Sequence, residues 1–378
     1  AVITLHPQDF AKQNENGTYY ANVGAVNTTQ IQALSGLLDT LDARNIRISS
    51  LDKITGVPQK TYTVLGNSSL GVPDNPSVTN IFTFGKAPAG VTVNPNTNMI
   101  YVTDSKSDTV SVIDGSTYTP VDSIQVKHIP VGISANPSTN MVYAINSYDG
   151  SISVINGSSL TVSNITSIQT LPFAVAVNSK TNMVYTIDPY KSEVDAIDGD
   201  TNSVTNSVKV GSSPLRIAVN PNTNMIYVTD SKFPVVSVIN GSQYKVVEAI
   251  PLTSNNTAVA ITVNPATNMV YATDSKSPIV SVIDGSTYKV VKTIPLGNGT
   301  SPLDITANAA TNTIYTTEPS GEVVVINGTT NTILQKIELG NGTVPIGIAV
   351  NDKTNTTYVA NSNSNTLSMI SEILTGMH

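Results

Sequence analysis

Between residues 77 and 371 the chain is written in short runs of alternating apolar and polar positions, each closed by a cluster of Asn, Asp, Gly, Pro, Ser or Thr. Alternation with a period of two marks a half-buried β-strand, and the clusters are turn chemistry. Residues 260–297 show one full unit. Ala260-Ile261-Thr262-Val263 reads as strand a. Asn264-Pro265-Ala266-Thr267-Asn268 ends it, because proline removes a ladder donor and asparagine tolerates turn geometry. Met269-Val270-Tyr271-Ala272-Thr273 reads as strand b, ending at Asp274, and Ile279-Val280-Ser281-Val282-Ile283 as strand c. Asp284-Gly285 is then expected to supply the positive φ values of a tight hairpin. Strand d runs from Tyr288 to Ile294, and the next unit begins after Gly297.

The unit repeats. Asn94-Pro95-Asn96-Thr97-Asn98-Met99-Ile100-Tyr101 recurs unchanged at residues 220–227, and the aligned tyrosines are Tyr101, Tyr143, Tyr185, Tyr227, Tyr271, Tyr315 and Tyr358. Their spacings of 42, 42, 42, 44, 44 and 43 residues match four-stranded propeller blades and exceed the periods of leucine-rich, ankyrin and tetratricopeptide repeats. A blade has apolar side chains on both faces and cannot bury them alone, so a ring of seven must close. The seventh copy stops after strand c near Ser371, whereas residues 78–88, ahead of the first copy, match the strand d and linker pattern. An N-terminal strand over 77–85 is therefore expected to complete the last blade; the alternative is that Ile373-Leu374-Thr375 pairs there. The fold read from the sequence is all-β: a seven-bladed β-propeller of four-stranded antiparallel blades over 77–378, with a small N-terminal α+β cap and linker over 1–76.

Tyr101-Val102-Thr103-Asp104 and Tyr227-Val228-Thr229-Asp230, each followed by Val-Ser-Val-Ile-Asp/Asn-Gly, resemble the YVTN-family β-propeller repeat of archaeal surface-layer and other secreted microbial proteins. The resemblance covers residues 77–371 and implies a propeller exposed at the cell surface. It transfers no catalytic residue, and Asp stands where the family usually has Asn in both copies. Residues 1–76 lie outside it. Within them residues 29–43 read as an amphipathic helix, with Ile31, Leu34, Leu37, Leu38 and Leu41 on one stripe, flanked by strand-like pieces at 2–5, 46–48 and 61–65.

Composition narrows the function classes. Charged residues are 12% of the chain, the formal net charge is −7 and the only arginines are Arg44, Arg47 and Arg216, so no basic stripe tracks a phosphate backbone and nucleic acid is not expected as a partner. No run approaches the roughly 18 apolar residues of a membrane span, and the start at Ala1 without Met reads as a leader already removed. Cysteine is absent, which excludes thiolate chemistry. Glycosylation sequons occur at Asn16, Asn27, Asn67, Asn156, Asn164, Asn240, Asn255, Asn298, Asn327, Asn341 and Asn355, and point to an extracellular or cell-surface glycoprotein.

Candidate chemistry is sparse. Of three histidines, His6, His128 and His378, only His128 lies within the repeats, where a packing or surface role is the ordinary one. The third position after each repeat tyrosine brings Asp104, Asn146, Asp188, Asp230, Asp274, Glu318 and Asn361 to one rim. The five acids there could attract Ca²⁺ through hard oxygen ligands, or could simply accept backbone hydrogen bonds in their own turns. At the start of strand a, Gly90, Gly132, Ala174, Arg216, Ala260, Asp304 and Gly347 are equivalent; Arg216 and Asp304 break the pattern of small residues near the channel mouth, where they would pair or hold a ligand. Lys106, Lys191, Lys232 and Lys276 complete that face as solvated charges. The expected function is a structural or recognition module of the cell envelope, contacting other envelope proteins, glycans or its own copies. The alternative is a propeller enzyme of lactonase or lyase type with a divalent cation in the channel around Arg216 and Asp304.

Overall fold

The computed structural model describes residues 77–82, 85–168, 171–252, 258–274, 277–297, 302–340 and 342–371, together with a short antiparallel pair, Lys12–Gln13 with Tyr19–Tyr20. The chain divides into two compact units, Ala1–Asp74 and Asn75–His378. The helix read over 29–43, its flanking strands and the pairing of residues 373–375 lie outside the described residues.

The larger unit is a seven-bladed β-propeller. Its blades span residues 88–125, 130–167, 175–209, 214–251, 258–295, 304–338 and 345–371, each an antiparallel meander of strands a to d in sequence order. Blade 7 takes its fourth strand from the N-terminal side: Ser77–Phe82 pairs with Thr366–Ser371 in register, Val78 opposite Ile370 and Ile81 opposite Leu367. Strands a of successive blades touch one another and line the centre, while strands d form the outer wall. The burial pattern follows. Strands b and c are buried along nearly their whole length, whereas strand d, as in Lys245–Pro251, is exposed at every residue but Ile250.

Seven apolar clusters fill the seven interfaces between neighbouring blades. Tyr227, Val236 and Val238 of blade 4 pack on Ile261, Val263 and Val270 of blade 5. The closing cluster joins Tyr358 and Leu367 to Val91 and Ile100 of blade 1, with Ile81 of the closing strand among them. A fully buried isoleucine such as Ile226, which packs against blade 3, contributes roughly 2–3 kcal/mol, and it does so only when that neighbouring blade is present.

A second ring is polar. The last residue of each strand a is a fully buried asparagine whose Nδ2 donates to Oδ1 of the asparagine in the a–b turn of the next blade. The seven links are Asn94 to Asn140, Asn136 to Asn182, Asn178 to Asn224, Asn220 to Asn268, Asn264 to Asn312, Asn308 to Asn355 and Asn351 to Asn98, at 2.7–3.0 Å. Each turn asparagine sits at positive φ, near +55°, which asparagine tolerates better than other non-glycine residues.

The c–d hairpin corrects one expectation. Its left-handed residue is not Gly285 but Tyr288, with φ of 55°, whose N–H donates to the Asp284 carbonyl at 2.8 Å. Four residues, Gly285 to Tyr288, separate the paired Asp284 and Lys289, two more than in a tight hairpin, and a β-bulge follows Val282 in the same pair of strands. Glycine is required there by space: a Cβ on Gly285 would lie 2.6 Å from the Asn268 carbonyl oxygen and 2.9 Å from the Tyr227 hydroxyl of the neighbouring blade.

Candidate functional site

An antiparallel meander puts the b–c and d–a connections on one face of the disc and the a–b and c–d turns on the other. The first face also carries the start of every strand a, and it gathers most of the candidate residues.

The residues ending strand b are buried, inward of the rim. Each of the seven stands in its own blade. Asp104 Oδ2 accepts from the Ser111 hydroxyl at 2.6 Å, and Asn146 and Asn361 donate to Ser153 and Ser368 at the matching place on strand c. Asp188 Oδ1 accepts the N–H groups of Tyr190 and Lys191, and its Oδ2 lies 3.2 Å from Lys191 Nζ, which raises the lysine's pKa. Asp230 holds the N–H groups of Lys232 and Phe233 on one oxygen and that of Ser213 on the other; Asp274 accepts from Ser277. These carboxylates shape the loops that carry the exposed residues. Glu318 departs from the set: both carboxylate oxygens are buried without a hydrogen-bond partner, and burial pushes its pKa up to about 7, against the pull of Lys336. Among the described residues no three His, Cys, Asp or Glu side chains are grouped to hold a metal ion.

At the start of strand a, small residues answer a steric demand. A Cβ on Gly132 would stand 2.6 Å from the Phe173 carbonyl oxygen, and one on Gly90 would collide with that of Val131. Asp304 meets the same neighbour by bonding to it: Oδ2 accepts the Ile348 N–H of blade 7 at 3.0 Å, and Oδ1 accepts its own successor's N–H at 2.9 Å. Burial raises its carboxyl to about 6; the Arg216 charge and the two N–H groups oppose the shift. The Arg216 guanidinium donates to the adjacent Leu215 carbonyl at 3.4 Å, its backbone N–H donates to Thr229 Oγ1 at 3.0 Å, and among the described residues it has no ion pair within 4 Å. The two groups thus interact through space without contact.

His128 is exposed, with Nδ1 2.9 Å from Asp149 Oδ2 and its ring edge-on to Tyr148 at 6.1 Å. The backbone N–H and ring of His128 hold the Asp149 carboxyl below the usual range. Of the sequons, Asn164 is exposed on strand d of blade 2, while Asn156, Asn240 and Asn327 open c–d turns, each Oδ1 accepting the second and third N–H onward. Asn355 is one of the turn asparagines of the polar ring. Asn16, Asn27, Asn67, Asn255, Asn298 and Asn341, and Lys276, lie outside the described residues.

Sequence reasoning singled out none of the aromatic residues on this face. Tyr148 is 70% exposed, Tyr190 72%, Phe233 56% and Phe173 44%, and Ile129 and Leu171 are exposed in the d–a connections of the same face. All six belong to blades 2, 3 and 4 or the connections leading into them, and the other large exposed apolar side chains sit on strands d or, as with Tyr118, in a c–d turn. The available signal was the break in symmetry at the b–c loops, where Tyr148 and Tyr190 replace the Lys or small polar residue of other blades.

The fold has a solved counterpart. The chain is similar to Kuenenia stuttgartiensis hydrazine synthase, with a TM-score of 0.68 and 14% identity over 77% of this chain and 97% of that one. At that identity the likeness is one of fold, and it carries the propeller alone. No family model matches the chain, and no curated protein matches it.

Proposed function

We propose that this chain is a secreted or cell-surface glycoprotein, a structural or recognition module of the cell envelope that engages protein or glycan partners through the loop face of blades 2–4. The observation that carries the reading is the gathering of exposed aromatic side chains on one sector of one face. Contiguous apolar exposure on a soluble fold marks a contact surface, whereas isolated apolar residues do not. The YVTN-like repeat and the sequons support the surface location. Among the described residues no helix is long and apolar enough to cross a membrane.

The location is tested on intact producing cells with a membrane-impermeant amine reagent, followed by glycopeptide mapping. Labelled lysines and sugar on the exposed Asn164 are expected. Protection from the reagent together with bare sequons throughout would overturn the reading. The alternative, a lactonase- or lyase-type propeller enzyme with a divalent cation, would work from Asp304 and Arg216 in the channel; stoichiometric metal in the purified protein would favour it.

A further inference from the structure

We infer that the loop face of blades 1–4 binds an acidic polysaccharide, its sugar rings lying on Tyr148, Tyr190 and Phe233 and its acid groups meeting Lys106 and Lys232. The inference rests on the recognition reading above and narrows it to a ligand class.

The argument begins with equivalence. The fifth position after the repeat tyrosine is Lys106, Tyr148, Tyr190 and Lys232 in blades 1 to 4, and Phe233 follows directly. These four loops leave equivalent ends of strand b in consecutive blades of one ring, so they form an arc of two flat rings flanked by two cations. A ligand with a repeating unit can meet the two rings at successive steps of such an arc and the two cations on either side. A folded protein surface has no matching repeat. Aromatic rings also suit the apolar faces of sugars, which need flat contact without a deep pocket.

Charge selects an acidic ligand. The chain as a whole carries −7, yet the carboxylates of these loops are engaged within the fold: Asp104, Asp188 and Asp230 are buried and bonded to their own loops or strand c, Asp108 accepts the Ile129 N–H at 2.9 Å, and the exposed Asp149 is paired with His128. Lys106 and Lys232 are exposed, and among the described residues neither has an acidic partner within 4 Å. Lys106 and Lys232 are thus available to a ligand while the carboxylates of their loops are engaged, and electrostatic complementarity favours an anionic one.

The sequons spare the same sector. The chain segments leading into blades 5, 6 and 7 contain Asn255, Asn298 and Asn341, one each, whereas those leading into blades 1 to 4 contain none. Sugar on those three sequons would therefore stand in the connections of other blades.

The test titrates the full chain with sodium polygalacturonate, neutral dextran, poly-L-glutamate and a 20-nucleotide oligothymidylate as separate probes. Polygalacturonate should bind best and weaken with salt, at least about tenfold tighter than dextran or poly-L-glutamate. The double variant Tyr148→Ala, Tyr190→Ala should lose about tenfold or more of that affinity with its unfolding midpoint unchanged, since both side chains are exposed. Lys106→Gln with Lys232→Gln should weaken binding and flatten its salt dependence. Equal binding of poly-L-glutamate, tighter binding of the oligonucleotide, or an unaltered double aromatic variant would each refute the inference. Absence of polygalacturonate binding also refutes it, and if the cells are labelled and the sequons occupied, the wider recognition reading survives that failure.

Discussion

Glu318 shows how one methylene changes a residue's part in the fold. Aspartates at equivalent positions reach loop N–H groups or a strand c hydroxyl, whereas the longer Glu318 buries both oxygens without partners. Its carboxyl is raised from the ordinary 4.5 to about 7 by burial. A carboxyl raised on folding keeps more protons in the native than in the unfolded state, so its contribution is full below the unfolded value and is lost as pH rises through about 7. The loss amounts to at most about 3 kcal/mol. Urea unfolding should show falling stability between pH 5 and pH 8, and Glu318→Gln should remove most of the fall above pH 6. The fall that remains at lower pH belongs to Asp304, raised to about 6, and to Asp195, which burial also raises. A Gln variant as pH-sensitive as the parent would contradict this account. The acidic position was legible in the sequence; its state was not, because partner or no partner depends on side-chain reach within a folded loop.

At the scale of the element, the a–b turn serves two purposes at once. Asn220 accepts the Asn222 N–H through Oδ1 and donates from Nδ2 to Asn268 of the next blade, so one buried side chain closes its own turn and ties two blades. Asn220→Ala should cost about 1–3 kcal/mol, the range for stranding buried polar groups. Thr223→Ala, in the same turn but exposed, should change stability by less than about 0.5 kcal/mol. Guanidinium unfolding midpoints compare the two, and equal midpoints would remove the ring of asparagines from the account of stability. The turn asparagines were visible as turn formers in the sequence. Their link across blades was not, since Asn220 and Asn268 lie 48 residues apart and meet only after both blades fold. The c–d turn was misread for a related reason: Gly285 is needed for the approach of Asn268 and Tyr227, and a local pattern does not show close contact from another element.

At the scale of the whole molecule, stability depends on closure. Each blade buries its faces only against neighbours, and Ser77–Phe82 completes both the sheet of blade 7 and the apolar cluster against blade 1. Ile81→Asp would put a charge into that cluster, where Ile81 is 7% exposed. It should detach the strand and leave Thr366–Ser371 as an open edge, a template for pairing with another chain. Size-exclusion chromatography should then show dimers or larger species, together with a broadened unfolding transition. A variant that stays monomeric and unfolds as sharply as the parent would show that the ring does not need this strand.

The sequence by itself determined the strands, their number and their grouping into seven similar sheets, because alternation and turn residues are local and the repeat copies them at nearly constant spacing. It also marked Arg216 and Asp304 as departures from the pattern. Only the tertiary structure decided that these two stand apart without contact, that the repeated carboxylates lie inside their loops, and that Tyr148, Tyr190 and Phe233 share one exposed sector. The physical reason is ring closure: loops about 42 residues apart along the chain become neighbours on one face, and what they present together is written in no single repeat.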